Sequence, residues 1–335
     1  MPLPSSMEGK VDLFRGYHYP MEVYWETHRK GGFTQLSLDL TSGCNYRCTG
    51  CFNGHLLGKD PSDMLAFEER KSLLEQSVEL GARTLVIPGT GEPTLDRDFY
   101  RLVECAHGLG LTTVVYSNLT GNINPERVHF LFEHDVSIGI KFDTLRPEYF
   151  RRYYQARPSA YPLFLGNSEA IFRYYGHSHE NTDRGAVHRA ILNVVLSYEN
   201  MAELPELVER GLQEGFPLYV RPIKPVDWAV RNPEDWMRLG NRSGNFVPDP
   251  VLVELARQHN HLFSPSSTLE NHCAIYSFGL TVKNNGDVQA CPDHHDSRGA
   301  FGNVRKSPLR EIMGRLTGQR KIQPGFCVML PEISH

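Results

Sequence analysis

The 335-residue sequence has no apolar run approaching the roughly 20 residues that a membrane helix needs, which argues against a spanning segment. Its start, Met1-Pro-Leu-Pro-Ser-Ser, has neither the basic opening nor the apolar stretch of a secretion signal. A net charge of −4 with mixed signs leaves no basic footprint for nucleic acid. Internal repeats and low-complexity tracts are also missing. These absences lead to the expectation of a cytoplasmic enzyme acting on a small or peptide-sized substrate. Cysteine is scarce, with seven in all: Cys44, Cys48, Cys51, Cys105, Cys273, Cys291 and Cys327. An odd count without a secretion signal speaks against a disulfide framework, and the uneven grouping reads better as metal ligation.

What is there begins with enough apolar content, 40%, to bury a sizeable core. From about Gly32 to Pro225, short apolar runs alternate with longer helical patterns. The strand candidates are Thr34–Leu40, Thr84–Ile87, Thr112–Tyr116, Val136–Phe142, Arg189–Val195 and Pro217–Ile223. Between them, Ala66–Leu80, Asp98–Leu109 and Leu204–Glu214 carry apolar residues at helical spacing. Strand then helix, repeated six times, implies an α/β fold with parallel strands and helices outside them. Six such units curl into a partial (β/α)6 TIM-like barrel, and chemistry is expected at the C-terminal strand ends. The aromatic stretch Arg151–Arg184 interrupts the alternation. It reads either as an irregular insertion with surface aromatics or as a substrate-lining segment. Trp228–Asp249 reads as a linker or lid. The resulting division is an N-terminal extension (1–31), the barrel (32–226), a linker or lid (227–262) and a C-terminal domain (263–335).

The loop after the first barrel strand reads Cys44-Asn-Tyr-Arg-Cys48-Thr-Gly-Cys51. Three thiolates on one loop supply three of the four iron ligands of a cubic cluster and leave the fourth iron open. A zinc site would want four protein ligands, usually from two separated pairs. C-x3-C-x2-C directly after a first strand resembles the radical S-adenosylmethionine (SAM) superfamily. The resemblance implies a [4Fe–4S] cluster on Cys44, Cys48 and Cys51 whose open iron chelates SAM. It also implies reductive cleavage to methionine and a 5′-deoxyadenosyl radical, which takes hydrogen from an unactivated C–H bond. An external reductant of flavodoxin or ferredoxin type follows from the same resemblance. The family usually has an aromatic residue just before the third cysteine; here that position is Gly50, and Phe52 is the substitute candidate for the adenine contact.

Further motifs fall at the later strand ends. Gly89-Thr90-Gly91-Glu92-Pro93 follows the second strand; its glycines allow close backbone approach, and Glu92 can offset a cationic amine. It resembles the family's Gly-Glu-Pro motif, which implies binding of the SAM ammonium. Ser117-Asn118, ending the third strand, resembles the ribose- and carboxylate-contacting step. Lys141 and Asp143, ending the fourth, are charges in an apolar run that point into a site or out at a rim. Asn193 and Ser197 on the fifth strand, with Arg221 and Lys224 on the sixth, are weaker candidates of the same kind. Cys105 sits mid-helix on an outer element and reads as a small core hydrophobe, or as a hydrogen donor.

Cys273, twelve residues, Gly286, four residues and Cys291 bracket a hairpin over 279–290, with Asn285-Gly286 as its turn. The pattern resembles the SPASM/twitch extension, which implies an auxiliary [4Fe–4S] cluster. Full SPASM domains carry seven cysteines of their own, and after Cys291 this chain has only Cys327, so at most one such cluster is expected, on Cys273, Cys291 and Cys327. His272, Asp293, His294 or His295 could complete it; the alternative is a set of reduced, buried cysteines. Only 43 residues precede Cys44, too few for the winged-helix module of many peptide-modifying relatives, and residues 2–30 are expected to pack a strand or helix against the barrel. The truncated pattern looks like the sugar and aminocyclitol dehydrogenase and epimerase branch of natural-product, including antibiotic, pathways. If an auxiliary cluster takes Cys273, Cys291 and Cys327, dehydrogenation gains. If Cys273 or Cys327 is free to return hydrogen, epimerisation gains. Modification of a ribosomally made peptide and an iron–sulfur electron-transfer protein stand as alternatives.

Overall fold

In the computed structural model each β-branched or leucine-rich run of the alternation becomes a parallel strand. The structure describes residues 13–51, 53–60, 62–182, 185–223, 234, 268–269, 272–273, 278–289 and 300–317. The linker or lid expected over 227–262 lies, apart from residue 234, outside the described residues. The first described elements are β1 (Leu13–Phe14) and α1 (Met21–Arg29), within the segment expected to pack a strand or helix against the barrel. Then come β2 (Gln35–Leu38), α2 (Phe67–Glu79), β3 (Thr84–Ile87), α3 (Phe99–Gly108), β4 (Thr112–Ser117), α4 (Pro125–Glu133) and β5 (Ser137–Lys141). Next are α5 (Pro147–Tyr154), α6 (Ala160–Tyr175), β6 (His179–Asn181), β7 (Ala186–His188), β8 (Ala190–Leu196), α7 (Leu204–Glu214) and β9 (Leu218–Pro222). The C-terminal part holds β10 (Thr268–Leu269), β11 (His272–Cys273), β12 (Gly279–Val282), β13 (Asp287–Gln289), β14 (Gly302–Asn303) and α8 (Leu309–Thr317).

The main sheet runs β14-β13-β12-β2-β3-β4-β5-β8-β9, with every neighbour from β12 to β9 parallel. Its edges are not joined, so the barrel is partial. Parallel strands are buried on both faces, and the two faces here do different work. Leu36, Leu38, Leu85, Ile87, Ile138 and Ile140 join the helix residues Leu73, Phe99, Leu102 and Val103 in the outer core. Val86, Val114, Ile191 and Tyr219 meet Phe14 and Tyr17 on the inner face. The N-terminal segment therefore plugs the barrel at the starts of β3 and β4. Gly16, at φ +97°, is pressed so close that a Cβ would stand 2.6 Å from Val114 Cγ2, and its carbonyl accepts from Thr84 Oγ1 at 2.8 Å. The plug closes one end and leaves the C-terminal strand ends for chemistry.

Two expectations change. The reading of Arg151–Arg184 as an irregular insertion with surface aromatics is overturned, because most of it lies in α5 and α6. Tyr149, Phe150, Tyr153 and Tyr154 recur at helical spacing and are buried, as is Tyr175; the aromatic stripe is a core face, not a surface. The C-terminal hairpin is present, with Thr281 opposite Gln289 and Val282 opposite Val288. Its first strand was not expected in the barrel, yet β12 lies parallel to β2, Thr281 beside Ser37. Cys273 belongs to a separate ribbon, β10 with β11.

Candidate active site

The cysteine loop leaves β2 at its C-terminal end and is held from three sides. On the first side lies the loop after β3: Gly91 N–H donates to Thr41 O at 3.0 Å and Glu92 N–H to Gly43 O at 2.8 Å. The approach is so close that a Cβ on Gly91 would meet Gly43 O at 2.2 Å, so only glycine fits. On the second side is α5, where Arg47 N–H donates to Tyr154 O at 2.9 Å and Thr49 N–H to Tyr153 O at 2.8 Å. The Tyr46 ring stacks on Tyr154 at 5.2 Å between centroids. On the third side is the hairpin: Asp60 accepts from Thr41 Oγ1 at 2.6 Å, from Ser42 N–H, and from Asn284 Nδ2 at 3.0 Å. Lys283 reaches Asp39 at 3.0 Å. A buried Arg70–Asp96 pair, 2.9 Å apart, lies beneath, and Arg70 Nη2 also donates to Leu40 O at 3.2 Å.

Cys44, Cys48 and Cys51 are all half-buried and unbridged. Burial pushes the Cys44 thiol up to about 11, and it raises Cys48 and Cys51 as well. The positive charge of Lys141 opposes the rise at Cys48 and Cys51. Tyr46 N–H points at Cys44 Sγ from 3.5 Å, a donor ready for a thiolate. Among the described residues no three His, Cys, Asp or Glu side chains gather as they would on a single metal ion. Three softer sulfur donors on one restrained loop, with a backbone donor and a cation beside them, suit an iron–sulfur cluster.

Glu92 is 2% exposed, and its carboxylate is engaged by the protein itself. Its Oε1 accepts from Thr94 Oγ1 at 2.7 Å and from Ser117 Oγ at 2.8 Å, and its Oε2 accepts from Asn118 N–H at 2.8 Å. Burial raises its pKa against these donors. Glu92 thus ties β3's loop to β4's end, and Gly89, at φ +79°, turns the chain ahead of Gly91, which meets the cysteine loop at Ser42 and Gly43. Ser117 spends its hydroxyl on Glu92 and on Leu119 N–H. Asn118 Nδ2 donates to Asn45 Oδ1 at 2.9 Å and lies 4.0 Å from Cys44 Sγ.

Lys141 and Asp143 form an ion pair of 2.6 Å. Asp143 is fully buried and also accepts from Val195 N–H at 2.7 Å, so it anchors rather than faces a ligand. Burial alone would lower Lys141, but Asp143 and the Cys48 sulfur outweigh it and leave its pKa raised. Lys141 is thus a held cation beside two of the three cysteines, over the Tyr154 ring at 5.3 Å. Asn193 is Lys141's partner on β8 and shares its face. Ser197 is drawn into a separate network, with its hydroxyl on Asn200 Oδ1 at 3.1 Å and 3.2 Å from Tyr149 Oη. Cys105 is not brought to this site: its charged surroundings are Lys71, Glu75 and Glu68 of α2, on the outer layer. As a hydrogen donor it is corrected, because the α2–α3 contact turns it away from the strand ends. Phe52, Lys224, Cys291, Asp293, His294, His295 and Cys327 lie outside the described residues, as do the side chains of Arg221, His272 and Cys273.

Gly50, the departure from the family pattern, has a physical reason. A Cβ there would stand 2.5 Å from Ile223 Cδ1 and 2.9 Å from Tyr153 Oη. Ile223 and Tyr153 occupy the room that a larger side chain would need. Sequence reasoning missed Asp60 and Arg70, and met Tyr153 only as one aromatic of the Arg151–Arg184 stretch. Arg70, a charge on the buried face of an amphipathic helix, was the one with a readable signal.

Comparison with known proteins agrees with this geometry. The profile of the radical SAM superfamily matches residues 38–210. GTP 3′,8-cyclase of Brucella abortus (strain S19) is 27% identical over 198 residues, 58% of this chain and 53% of that protein. GTP 3′,8-cyclase of Staphylococcus carnosus is 35% identical over 89 residues, 23% of this chain and 26% of that protein. The chain thus spans about half the length, or less, of these curated relatives. Among solved structures, SuiB of Streptococcus suis bound to S-adenosylmethionine superposes with a TM-score of 0.61 at 15% identity, over 84% of this chain and 65% of that one. Native anSMEcpe with bound AdoMet gives 0.58 at 17%, over 86% and 82%. These structures share the fold. The profile spans more than half of the sequence and takes in the three-cysteine loop and its Gly-Glu-Pro neighbour, so the chain belongs to the radical SAM superfamily.

Proposed function

We propose that this chain is an enzyme that holds a [4Fe–4S] cluster on Cys44, Cys48 and Cys51, and that it removes hydrogen from a C–H bond of a small polyhydroxylated substrate. A sugar or aminocyclitol is the substrate class, and dehydrogenation or epimerisation the outcome. The observation that carries this is the direct backbone stitching of the three-cysteine loop to Gly91 and Glu92. The bound cluster and SAM supply the radical chemistry. The chain's own residues supply position. Gly89–Gly91 offer backbone to the SAM ammonium, with Glu92 acting by holding Ser117 and Asn118 against the same loop. Asn118 donates toward Cys44 Sγ, Lys141 offsets thiolate charge near Cys48 and Cys51, and Asn193 extends Lys141's face toward substrate.

The small-molecule reading is supported by the relatives' name, which has them acting on GTP, itself a molecule with a hydroxylated ring. Cys105 lies among α2 charges, so the candidate hydrogen-returning thiols for an inversion are Cys273, Cys291 and Cys327. If all three bind an auxiliary [4Fe–4S] cluster, dehydrogenation is the outcome. The test is anaerobic reconstitution followed by SAM and dithionite. Equal amounts of methionine and 5′-deoxyadenosine are expected, and Cys48→Ala loses both product and bound iron. An iron-loaded wild type that leaves SAM intact overturns the proposal. Deuterium moving from a labelled polyol, rather than a labelled peptide, into 5′-deoxyadenosine settles the substrate class.

A further inference from the structure

Helix α2 buries Leu73, Leu74 and Ser77, and one turn earlier the same face carries Arg70 where an apolar residue is expected. The Arg70 and Asp96 side chains are only 3% and 4% exposed, so both charges have left water. Arg70 Nη1 donates to the two carboxylate oxygens of Asp96 at 2.9 and 3.0 Å, and Nη2 donates to Leu40 O at 3.2 Å. These partners belong to the two loops that meet at the strand ends. Leu40 lies between β2 and the residues 41–43 that lead into Cys44, and Asp96 closes the turn Pro93–Leu95 directly after Glu92. Asp96 Oδ1 also accepts from Asp98 N–H at 2.9 Å, at the start of α3. The same two loops are joined again by Gly91 N–H on Thr41 O and Glu92 N–H on Gly43 O. Apolar residues of similar volume fill such a site without loss of stability, and often with a gain. They do not fix directions, whereas the planar fork of an arginine holds a carboxylate and a carbonyl at once.

We propose that Arg70 is a positioning residue for SAM binding. With Asp96 it sets the separation of the cysteine loop from the Gly-Glu-Pro loop, and thereby the span between the open iron and the site of the SAM ammonium. The inference rests on the reading of Cys44, Cys48 and Cys51 as cluster ligands and of Gly89–Gly91 as the ammonium site. Arg70 acts through Leu40 and Asp96. The three thiolates lie on one loop, so a change in span leaves the iron in place and weakens only the ligand that reaches across both loops.

The test compares the reconstituted wild type with Arg70→Lys, Arg70→Met and the double variant Arg70→Met/Asp96→Leu. Thermal melting, iron content, SAM Kd by equilibrium dialysis and the change in the reduced cluster's electron paramagnetic resonance on adding SAM are measured for each. Iron content is expected to match wild type throughout. Arg70→Met leaves Asp96 buried without its cation and lowers the melting temperature, and the double apolar replacement recovers most of that loss. SAM Kd still stands about tenfold above wild type in the double variant, as when a residue supporting a ligand shell is removed, and the resonance change is reduced. Arg70→Lys keeps the charge without the fork and raises Kd less. Arg305→Ala is the stability control: Arg305 holds Met64 and Glu69 and does not reach Leu40, so the melting temperature falls while SAM Kd holds. A SAM affinity that returns to wild type in the double variant overturns the proposal. So does a rise in Kd in Arg305→Ala equal to that in Arg70→Met, since either result makes the effect one of stability. A wild type that holds iron yet binds no SAM sinks the reading of the site on which the positioning role rests, and is told apart by needing no variant.

Discussion

Gly50 shows how one missing side chain is accounted for by its neighbours. The chain lacks an aromatic before its third cysteine because Ile223 and Tyr153 already stand within 2.9 Å of where a Cβ would begin. Tyr153 cannot yield easily, since its carbonyl accepts from Thr49 N–H inside the cysteine loop. Overpacking of this kind costs about 1–3 kcal/mol. Gly50→Phe is therefore expected to lower the melting temperature by several degrees and to cut iron uptake on reconstitution by more than half. Iron content equal to wild type would show that the loop can shift around the ring. Glu92 carries a related lesson. Charge complementarity alone aims it at a ligand's ammonium, whereas hydrogen bonding shows a carboxylate shared among Thr94, Ser117 and Asn118.

Among the elements, the C-terminal hairpin and the turn after β14 bind the segment between the cysteine loop and α2. Asn284 holds Asp60, and Arg305 Nη2 donates to Met64 O at 2.9 Å and to Glu69 Oε2 at 2.8 Å. Glu69 also reaches back to Ala66 N–H at 2.7 Å, starting the helix. The Arg305 hydrogen bonds hold the Glu69 carboxyl down at about 2, from an ordinary 4.5. A depressed folded-state carboxylate contributes stability that is present above its unfolded pKa and lost as pH falls through the folded one. Arg305→Ala is therefore expected to lower the melting temperature at pH 5–7, with the difference from wild type shrinking as pH drops from 4.5 toward 2. The effect is modest, because both side chains are about one-third exposed and water screens them. A pH-independent difference, measured by thermal melts across that range, would assign the loss to packing alone.

Over the whole molecule, a parallel sheet of seven strands extends through an antiparallel hairpin to two unjoined edges. The C-terminal part is thereby fastened to the barrel beside β2, next to the cysteine loop. This arrangement bears on the proposed auxiliary cluster, whose ligands come from segments far apart in sequence. Reconstituted wild type is expected to hold about eight irons, and a Cys273/Cys291/Cys327→Ala variant about four. Equal iron in the two removes the second cluster and leaves those thiols available to return hydrogen.

Much of this protein was legible in residue order alone. The six barrel strands, the helices α2, α3 and α7, the hairpin and the cysteine and Gly-Glu-Pro loops rest on local periodicity, turn chemistry and motif spacing, which do not depend on distant partners. Helices α5 and α6 were less legible, because a buried aromatic face looks like an aromatic-rich surface until its neighbours are known. Tertiary structure alone decided the rest. That β12 pairs with β2, that Asp60 joins the cysteine loop to Asn284, that Glu92 spends its charge on β4, and that Cys105 faces α2 are contacts between distant segments. Each depends on which buried polar groups find partners once the chain has closed, and residue order does not state that.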